Sequence, residues 1–359
     1  MTQKTMPIDW TFHPTRDFAA QAATWDGINA RGANLPFLES LFVAPLVAAF
    51  GSGRETLAVG RSGGEPVAAL LLQRAGTGRW STFQPSQMPL GPVVALPTVA
   101  VDSLADSLLR ALPGFNLGLG LTELDPLYQV RPANRPCFGT LDYIQTAWVE
   151  LAGDFAAYWE SRGKNLRQNM RKQRNKLQAD GVAPTLEILR DAAAMREAIS
   201  QYGALETASW KAAEGTAVSL DNDQGRFYLA MMENFCRAGR GVVYRYRLGE
   251  QVAAMDLCIE RDDLLVILKT TYDGSNRSLS PAFLMREEQM QQLYGEGRIK
   301  RIEFYGKLME WHTRWTDQAR TLYHANAYRF SVIPRLLQWR ARRAAPQAAA
   351  TTAPEAENA

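Results

Sequence analysis

The sequence predicts a mixed α/β fold (an α+β mixed sheet) built from two similar halves. Three observations predict it. The chain has 359 residues, and at roughly 100–200 residues per domain such a length accommodates two units. A segment of the first half, RETLAVGRSGGEPVAALLLQR (54–74), is echoed in the second by RGVVYRYRLGEQVAAMDLCIER (240–261). The order helix, antiparallel strands, helix, strand occurs in both halves.

In the first half, residues 38–50 form an apolar helix-like stretch ahead of the echoed hairpin. Its turn falls at Gly64-Glu65, where glycine supplies the positive φ that a tight hairpin needs. A helix over 99–112 and a strand over 115–121 follow. In the second half, a helix over 192–209 leads to the hairpin that turns at Gly249-Glu250. Then come a strand (264–272), a helix (281–294) and a strand (299–305). The join falls near residues 150–163, where a strand over 143–151 ends at Gly153 and a short helix-like piece spans 155–162. This predicts a degenerate first half at 1–152 and a working second half at 153–343. The Ala/Thr/Pro/Glu-rich tail at 344–359 lacks large apolar residues and is expected to be disordered.

Residues 164–181 read KNLRQNMRKQRNKLQADG. On a helix, Leu166, Met170 and Leu177 share one stripe, while Lys164, Arg167, Arg171 and Arg174 fall on another face. Gly181 is a natural stop. The cationic face is either a solvated surface or a site for a phosphate-bearing donor or acidic acceptor.

Composition narrows the function. A content of 46% hydrophobic and 21% charged residues matches an ordinary globular protein. The net charge of +3 sets up no global field for nucleic acid, so DNA is not expected as a partner. Cys137, Cys236 and Cys258 show no CxxC spacing, and His13, His312 and His324 form no HxxxH pair. Neither a disulfide framework nor a metal site is expected, and a reducing, cytoplasmic compartment fits. The N-terminus lacks an apolar leader core, and no run of about 18 apolar residues suggests a membrane span.

Five further segments carry a resemblance. The helix Asn165 to Gly181 is similar to an N-R-x-x-x-R-R-x-x-x-L-x-x-x-G segment. Glu206-Thr207-Ala208-Ser209-Trp210-Lys211 is similar to an E-x-x-S-W-K box. Lys269-Thr270-Thr271-Tyr272-Asp273 resembles a K-x-x-Y-D strand end, and Ser280-Pro281 the start of the next helix. Glu303-Phe304-Tyr305-Gly306 with Trp315 resembles a D-F-x-x-G…W ending. Together these resemble the BioF2-like or CelD-like acetyltransferases of the GNAT superfamily, relatives of the FemAB-type peptidoglycan aminoacyltransferases. The chain departs from that pattern in three places. Ala282 stands where the family has glycine. Lys307-Leu308 and Trp311-His312 replace Gly-Asp and Tyr-Lys. The usual [RQ]xxGx[GA] pyrophosphate loop is not evident.

The resemblance implies a tandem GNAT fold with no permanently bound cofactor. It implies acetyl-CoA or another acyl-CoA as co-substrate, and an amine or hydroxyl acceptor on a small metabolite or saccharide. Two alternatives stay open: a FemAB-like transferase using aminoacyl-tRNA, and a non-catalytic binding protein in polysaccharide or cell-envelope assembly.

Such transfer needs a held donor, a polarised carbonyl and a nucleophilic acceptor. The resemblance implies that backbone N–H groups of a splayed strand serve the carbonyl and a helix N-terminus serves the pyrophosphate. Ser280, Pro281 and Ala282 are therefore the candidate donor-binding residues, with serine as cap and proline at the first helical position. Lys269, in an apolar strand, joins them, with Glu303 or Asp256 as its expected partner. Glu303 and His312 are the alternative bases, and Tyr272 is a candidate proton donor to the thiolate. Alternation puts Ile302 and Phe304 on one face of their strand, with Glu303 and Tyr305 on the other. Glu206, Trp210 and Lys211, with Arg167 and Arg171, are candidate acceptor-binding residues. The plainer alternative makes Trp210 a core anchor beside two solvated charges.

Overall fold

The computed structural model describes residues 7–207 and 217–337. The first half supplies β1 (Asp9–Pro14), α1 (Phe18–Arg31), α2 (Ser40–Phe50), β2 (Thr56–Ser62), β3 (Glu65–Gly76), β4 (Arg79–Thr82), β5 (Val93–Ala95), α3 (Val101–Ala111), β6 (Gly118–Leu124) and β7 (Phe138–Glu150). Two helices, α4 (Phe155–Ser161) and α5 (Lys164–Ala179), lead onward. The second half follows with β8 (Pro184–Leu189), α6 (Met195–Thr207), α7 (Asp223–Arg237), β9 (Gly241–Leu248), β10 (Gln251–Arg261), β11 (Leu264–Tyr272), α8 (Pro281–Glu296), β12 (Arg301–Glu303), α9 (Glu310–Thr313) and β13 (Ala319–Tyr328). Apart from β5 and α9, one order occurs twice: strand, two helices, three strands, helix, two strands.

Among the described residues, thirteen strands form one sheet in the order β1-β2-β3-β4-β6-β13-β7-β12-β11-β10-β9-β8, with β5 bonded to β3 off that path. The centre of this order is an exchange. β13, which ends the second half, lies between β6 and β7. β7, which ends the first half, pairs with β12 through Trp148, Val149 and Glu150. Each half completes its sheet with a strand from the other.

Local chemistry explains the elements. The β2–β3 loop is Gly63-Gly64, with Ser62 opposite Glu65 and both glycines at positive φ (58° and 86°). That geometry suits the right-handed twist of the flanking strands. The turn therefore lies one residue earlier than the Gly-Glu pair suggests, whereas Gly249 (φ 60°) opens the β9–β10 turn as expected. In α3, Val101, Leu104, Ala105, Leu108 and Leu109 are buried at helical spacing. Helix α5 buries Leu166, Met170 and Leu177 as its stripe requires. It stops at Gly181 (φ 67°), where Gly181 N–H donates to Gln178 and Val182 N–H to Leu177.

One core lies on the α1, α2, α6 and α7 face and joins the halves through Phe42 against Phe227 (5.2 Å) and Phe37 against Tyr305 (4.9 Å). A second, on the opposite face, is covered by α5 and α8. A third lies beneath α3 in the first half. Buried Glu39 adds ion pairs across the halves with Arg240 (2.6 Å) and Arg261 (2.7 Å).

Several expectations change. The strand expected over 143–151 begins at Phe138, and the one expected over 299–305 narrows to Arg301–Glu303. The helix expected over 192–209 is a 3-10 turn followed by α6, and residues 208 and 209 lie outside the described residues. So do the tail at 344–359, Trp210 and Lys211.

Candidate active site

The site begins with a register fault. Leu257 pairs with Lys269 and Cys258 with Ile267, which leaves Leu268 as an extra residue in β11. A bulge of this kind bends its strand and adds local twist. On its other edge β11 runs parallel to β12 for three pairs only, Leu264–Val266 with Arg301–Glu303. Beyond Val266 the two strands part, and β11 continues to Tyr272 without a strand on that edge. Tyr305, at φ 48°, turns the chain away after β12.

A cleft of about 410 Å³ opens where β11 ends and α8 begins. Thr270, Tyr272, Ser280, Pro281, Ala282 and Phe283 line it, with Arg286, Trp311 and Trp315. Four residues predicted from the sequence, Tyr272, Ser280, Pro281 and Ala282, are thereby brought together. Pro281 starts the helix as expected, but Ser280 makes no side-chain cap. It is left-handed (φ 51°, ψ 52°), and its carbonyl accepts from the N–H groups of Phe283 (2.9 Å) and Leu284 (3.2 Å). The helix dipole of a sixteen-residue helix still points its positive end into the cleft.

Arg286 borders the cleft yet is only 2% exposed. It pairs with buried Asp256 (2.6 Å) and donates to the Thr270 hydroxyl (3.2 Å). Burial pushes the Asp256 carboxyl up, and Arg286 pulls it back. His312 lies behind this wall, 3% exposed and stacked on Trp311 with ring centroids 3.6 Å apart. Its Nδ1 accepts from Met309 N–H (2.9 Å), so in the neutral ring Nε2 carries the proton. Burial lowers its pKa to about 4.

A second cavity, of about 570 Å³, lies on the opposite side of the parted strands, between the halves. Its walls include Gln84 and Glu123 from the first half, Tyr143 of β7, Tyr228 of α7, and Ile267 and Leu268 of β11. Phe304, Tyr305 and Lys307 close one end. Glu123 is left-handed (φ 50°). Its N–H donates to His324 Nδ1 (3.0 Å), its carbonyl accepts from Gly91 N–H (3.1 Å), and its carboxylate accepts from Gln84 Nε2 (3.0 Å). Burial pushes its carboxyl up to about 7, with the Tyr143 hydroxyl pulling the other way. Of the five described non-glycine residues at positive φ, three line these two cavities: Ser280, Glu123 and Tyr305. Strained backbone of this kind concentrates at functional sites.

The remaining candidates sit elsewhere. Glu303 is fully buried and lines neither cavity; Arg301 (2.7 Å) and Arg320 (3.0 Å) hold it. Burial pushes its carboxyl up to about 7 against the pull of those two guanidiniums. Lys269 pairs with Glu206 (3.1 Å), not with Asp256 or Glu303, and stands over the rings of Tyr202 and Tyr228. The bulge at Leu268 is the reason, because it turns Lys269 to the α6–α7 face, away from the α8 cleft. Glu206 also accepts from Val218 N–H (2.9 Å). Arg167 pairs with Glu160 (2.6 Å), and with Arg171 it lines a shallow groove of about 490 Å³ beside Trp159. Glu123 and Gln84 were not found in the sequence. They belong to no motif, and the positive φ of a glutamate leaves no mark in the residue pattern.

Comparison with known proteins bears on the fold. Residues 164–315 match the model of a family described as an acetyltransferase (GNAT) domain. No curated protein sequence matches the chain. Among solved structures, FemX is 8% identical (TM-score 0.55), with 88% of this chain and 98% of that one covered. A protein of unknown function from Bacteroides thetaiotaomicron is 10% identical (TM-score 0.55; 90% and 100% covered). The C-terminal DUF2156 domain of a candidate lysylphosphatidylglycerol synthetase from Agrobacterium fabrum is 13% identical (TM-score 0.52; 84% and 91% covered). At such identities the likeness is one of fold. The chain has a mixed α/β fold in two similarly ordered halves, and residues 164–315 of the second match the GNAT domain. Among the described residues, no helix is long and apolar enough to cross a membrane.

Proposed function

We propose that the protein transfers an acyl group, acetyl in the first instance, from coenzyme A to an amine or hydroxyl acceptor on a small metabolite or sugar. The observation that carries this reading is the parting of β11 and β12 after Val266, beside the N-terminus of α8. A parted strand edge presents backbone N–H groups to a thioester carbonyl, where negative charge develops in the transition state. The first turn of α8 offers its dipole to a pyrophosphate. Ala282 leaves room at that turn, Trp311 and Trp315 give the donor's apolar arm a wall, and Tyr272 stands at the rim to protonate the departing thiolate.

Calorimetric titration with acetyl-CoA and desulfo-CoA tests the donor. Micromolar binding of both is expected, and its loss in Ala282→Trp would place the donor in the α8 cleft. Absence of binding removes the coenzyme A reading. A second reading, aminoacyl-tRNA as donor, is favoured by the cationic groove of α5, where Lys164, Arg167 and Arg171 lie beside Trp159. It requires tRNA binding in the same titration, with affinity that falls steeply as salt rises.

A further inference from the structure

We propose that the cavity between the halves is the acceptor site, that it takes a primary amine, and that Glu123 accepts the amine's proton. This assignment rests on the reading that the α8 cleft holds a thioester.

Position is the first argument. The cavity is walled by Ile267 and Leu268, the stretch of β11 that has lost its β12 neighbour. Thr270 and Tyr272 of the same strand border the α8 cleft. A carbonyl held on that open edge is therefore approachable from the side opposite its coenzyme. Phe304 sits at the divide, lining the inner cavity while its ring packs edge-on against Trp311 of the donor cleft (5.5 Å).

Chemistry is the second. Among the described residues lining the cavity, Glu123 is the one carboxylate and Lys307, exposed at the far end, the one cation. The other titratable groups facing Glu123 are the phenols of Tyr143, Tyr228 and Tyr305 and the ring of His324. Burial raises all three phenols and lowers the imidazole, so all four are neutral at pH 7–8. An incoming ammonium thus meets a single negative charge. A sugar hydroxyl would give that carboxylate no charge to neutralise. Gln84 is the positioning residue: its Nε2 holds the Glu123 carboxylate (3.0 Å) and the Met88 carbonyl (2.9 Å) together.

The step balances. The ammonium gives one proton to the Glu123 carboxylate. The freed nitrogen lone pair attacks the thioester carbonyl carbon, and a C–N bond forms. The C–S bond breaks with its electron pair passing to sulfur. The nitrogen's surplus proton offsets the thiolate charge through Tyr272 or solvent, and Glu123 returns its own proton to water.

Two measurements test this. In protein labelled with 13C at the glutamate carboxyls, NMR should show two carboxyls titrating near pH 7, those of Glu303 and Glu123, of which Glu123→Gln removes one and leaves the other. If Glu123→Gln removes no such resonance, the proposal is overturned whatever the donor is. With acetyl-CoA as donor and n-butylamine as probe acceptor, Glu123→Gln should lower kcat by about 10²–10⁴-fold and flatten its rise through pH 7. Acetyl-CoA affinity should be unchanged, and Glu123→Asp should recover part of the rate. Failure of wild-type protein to bind acetyl-CoA overturns the donor reading, and the acceptor assignment that rests on it falls too; acetyl-CoA binding with wild-type kcat in Glu123→Gln overturns the assignment alone.

Discussion

A histidine whose Nδ1 is spent on a backbone N–H and whose ring is buried is poised to stay neutral. His312 is in that state, with its pKa lowered to about 4. An ordinary histidine titrates near 6.5. Between about pH 4 and 6.5 the unfolded chain therefore binds more protons than the folded one, and stability rises with pH across that window. The contribution is complete above 6.5 and is lost as pH falls through about 4. His312→Asn keeps an acceptor for Met309 N–H but cannot titrate. Between pH 7 and 4.5 the melting temperature of the wild type should fall several degrees further than that of His312→Asn. Equal falls would mean that His312 titrates normally. At this scale, legibility in the sequence follows chain distance. Tyr272, Ser280, Pro281 and Ala282 were readable because a strand end and the next helix start lie side by side in the chain. Glu123 was not, because Gln84 and Gly91 of the β4–β5 connection, Tyr143 of β7 and His324 of β13 reach it from three separate segments.

Helix α8 shows how an element can be foreseen while its entry is not. Ser-Pro is a helix-start signal, and the helix does begin at Pro281. The serine, however, is left-handed, a conformation that costs an L-residue roughly 1–2 kcal/mol. Ser280→Gly removes that strain but adds freedom to the unfolded chain, worth about 0.4–1 kcal/mol in the other direction. The net expectation is stabilisation of up to about 1.5 kcal/mol by chemical denaturation, and Ser280→Val should be destabilising because a β-branched residue resists positive φ. A loss of stability in Ser280→Gly would show that the hydroxyl matters more to the fold than the dihedral. The same contrast holds elsewhere. The two echoed hairpins, α5 and its stop at Gly181 were legible from glycine placement and apolar spacing. Helix α7 was not foreseen, although its Asn222 cap accepts from Gly225 N–H (2.9 Å) and Phe227, Met231 and Phe235 are buried. The partner face that α7 covers is supplied by α2, nearly 200 residues earlier in the chain, and helical propensity alone does not announce such packing.

The exchange of β7 and β13 decides how the whole molecule unfolds. The repeat in the sequence suggests two halves that could stand apart. The sheet order makes each depend on the other, since β13 fills the place between β6 and β7. Tyr323, Ala325 and Ala327 complete the core under α3, while Leu322 belongs to the core shared by α2 and α7. A break in β13 thus reaches both sides of the sheet. Ala325 pairs with Leu121 on one edge and Thr140 on the other, so proline there removes a ladder N–H from a central strand and clashes with its neighbours. Calorimetry of the intact chain should give one cooperative transition. Ala325→Pro should abolish it, leaving segments of both halves open to limited proteolysis. If residues 164–315 instead resist protease in that variant and melt near the wild-type temperature, the second half holds its core without the exchange. The strand-parted site, whose inner cavity is walled by both halves, would then have to be assembled from units that fold separately and dock afterwards.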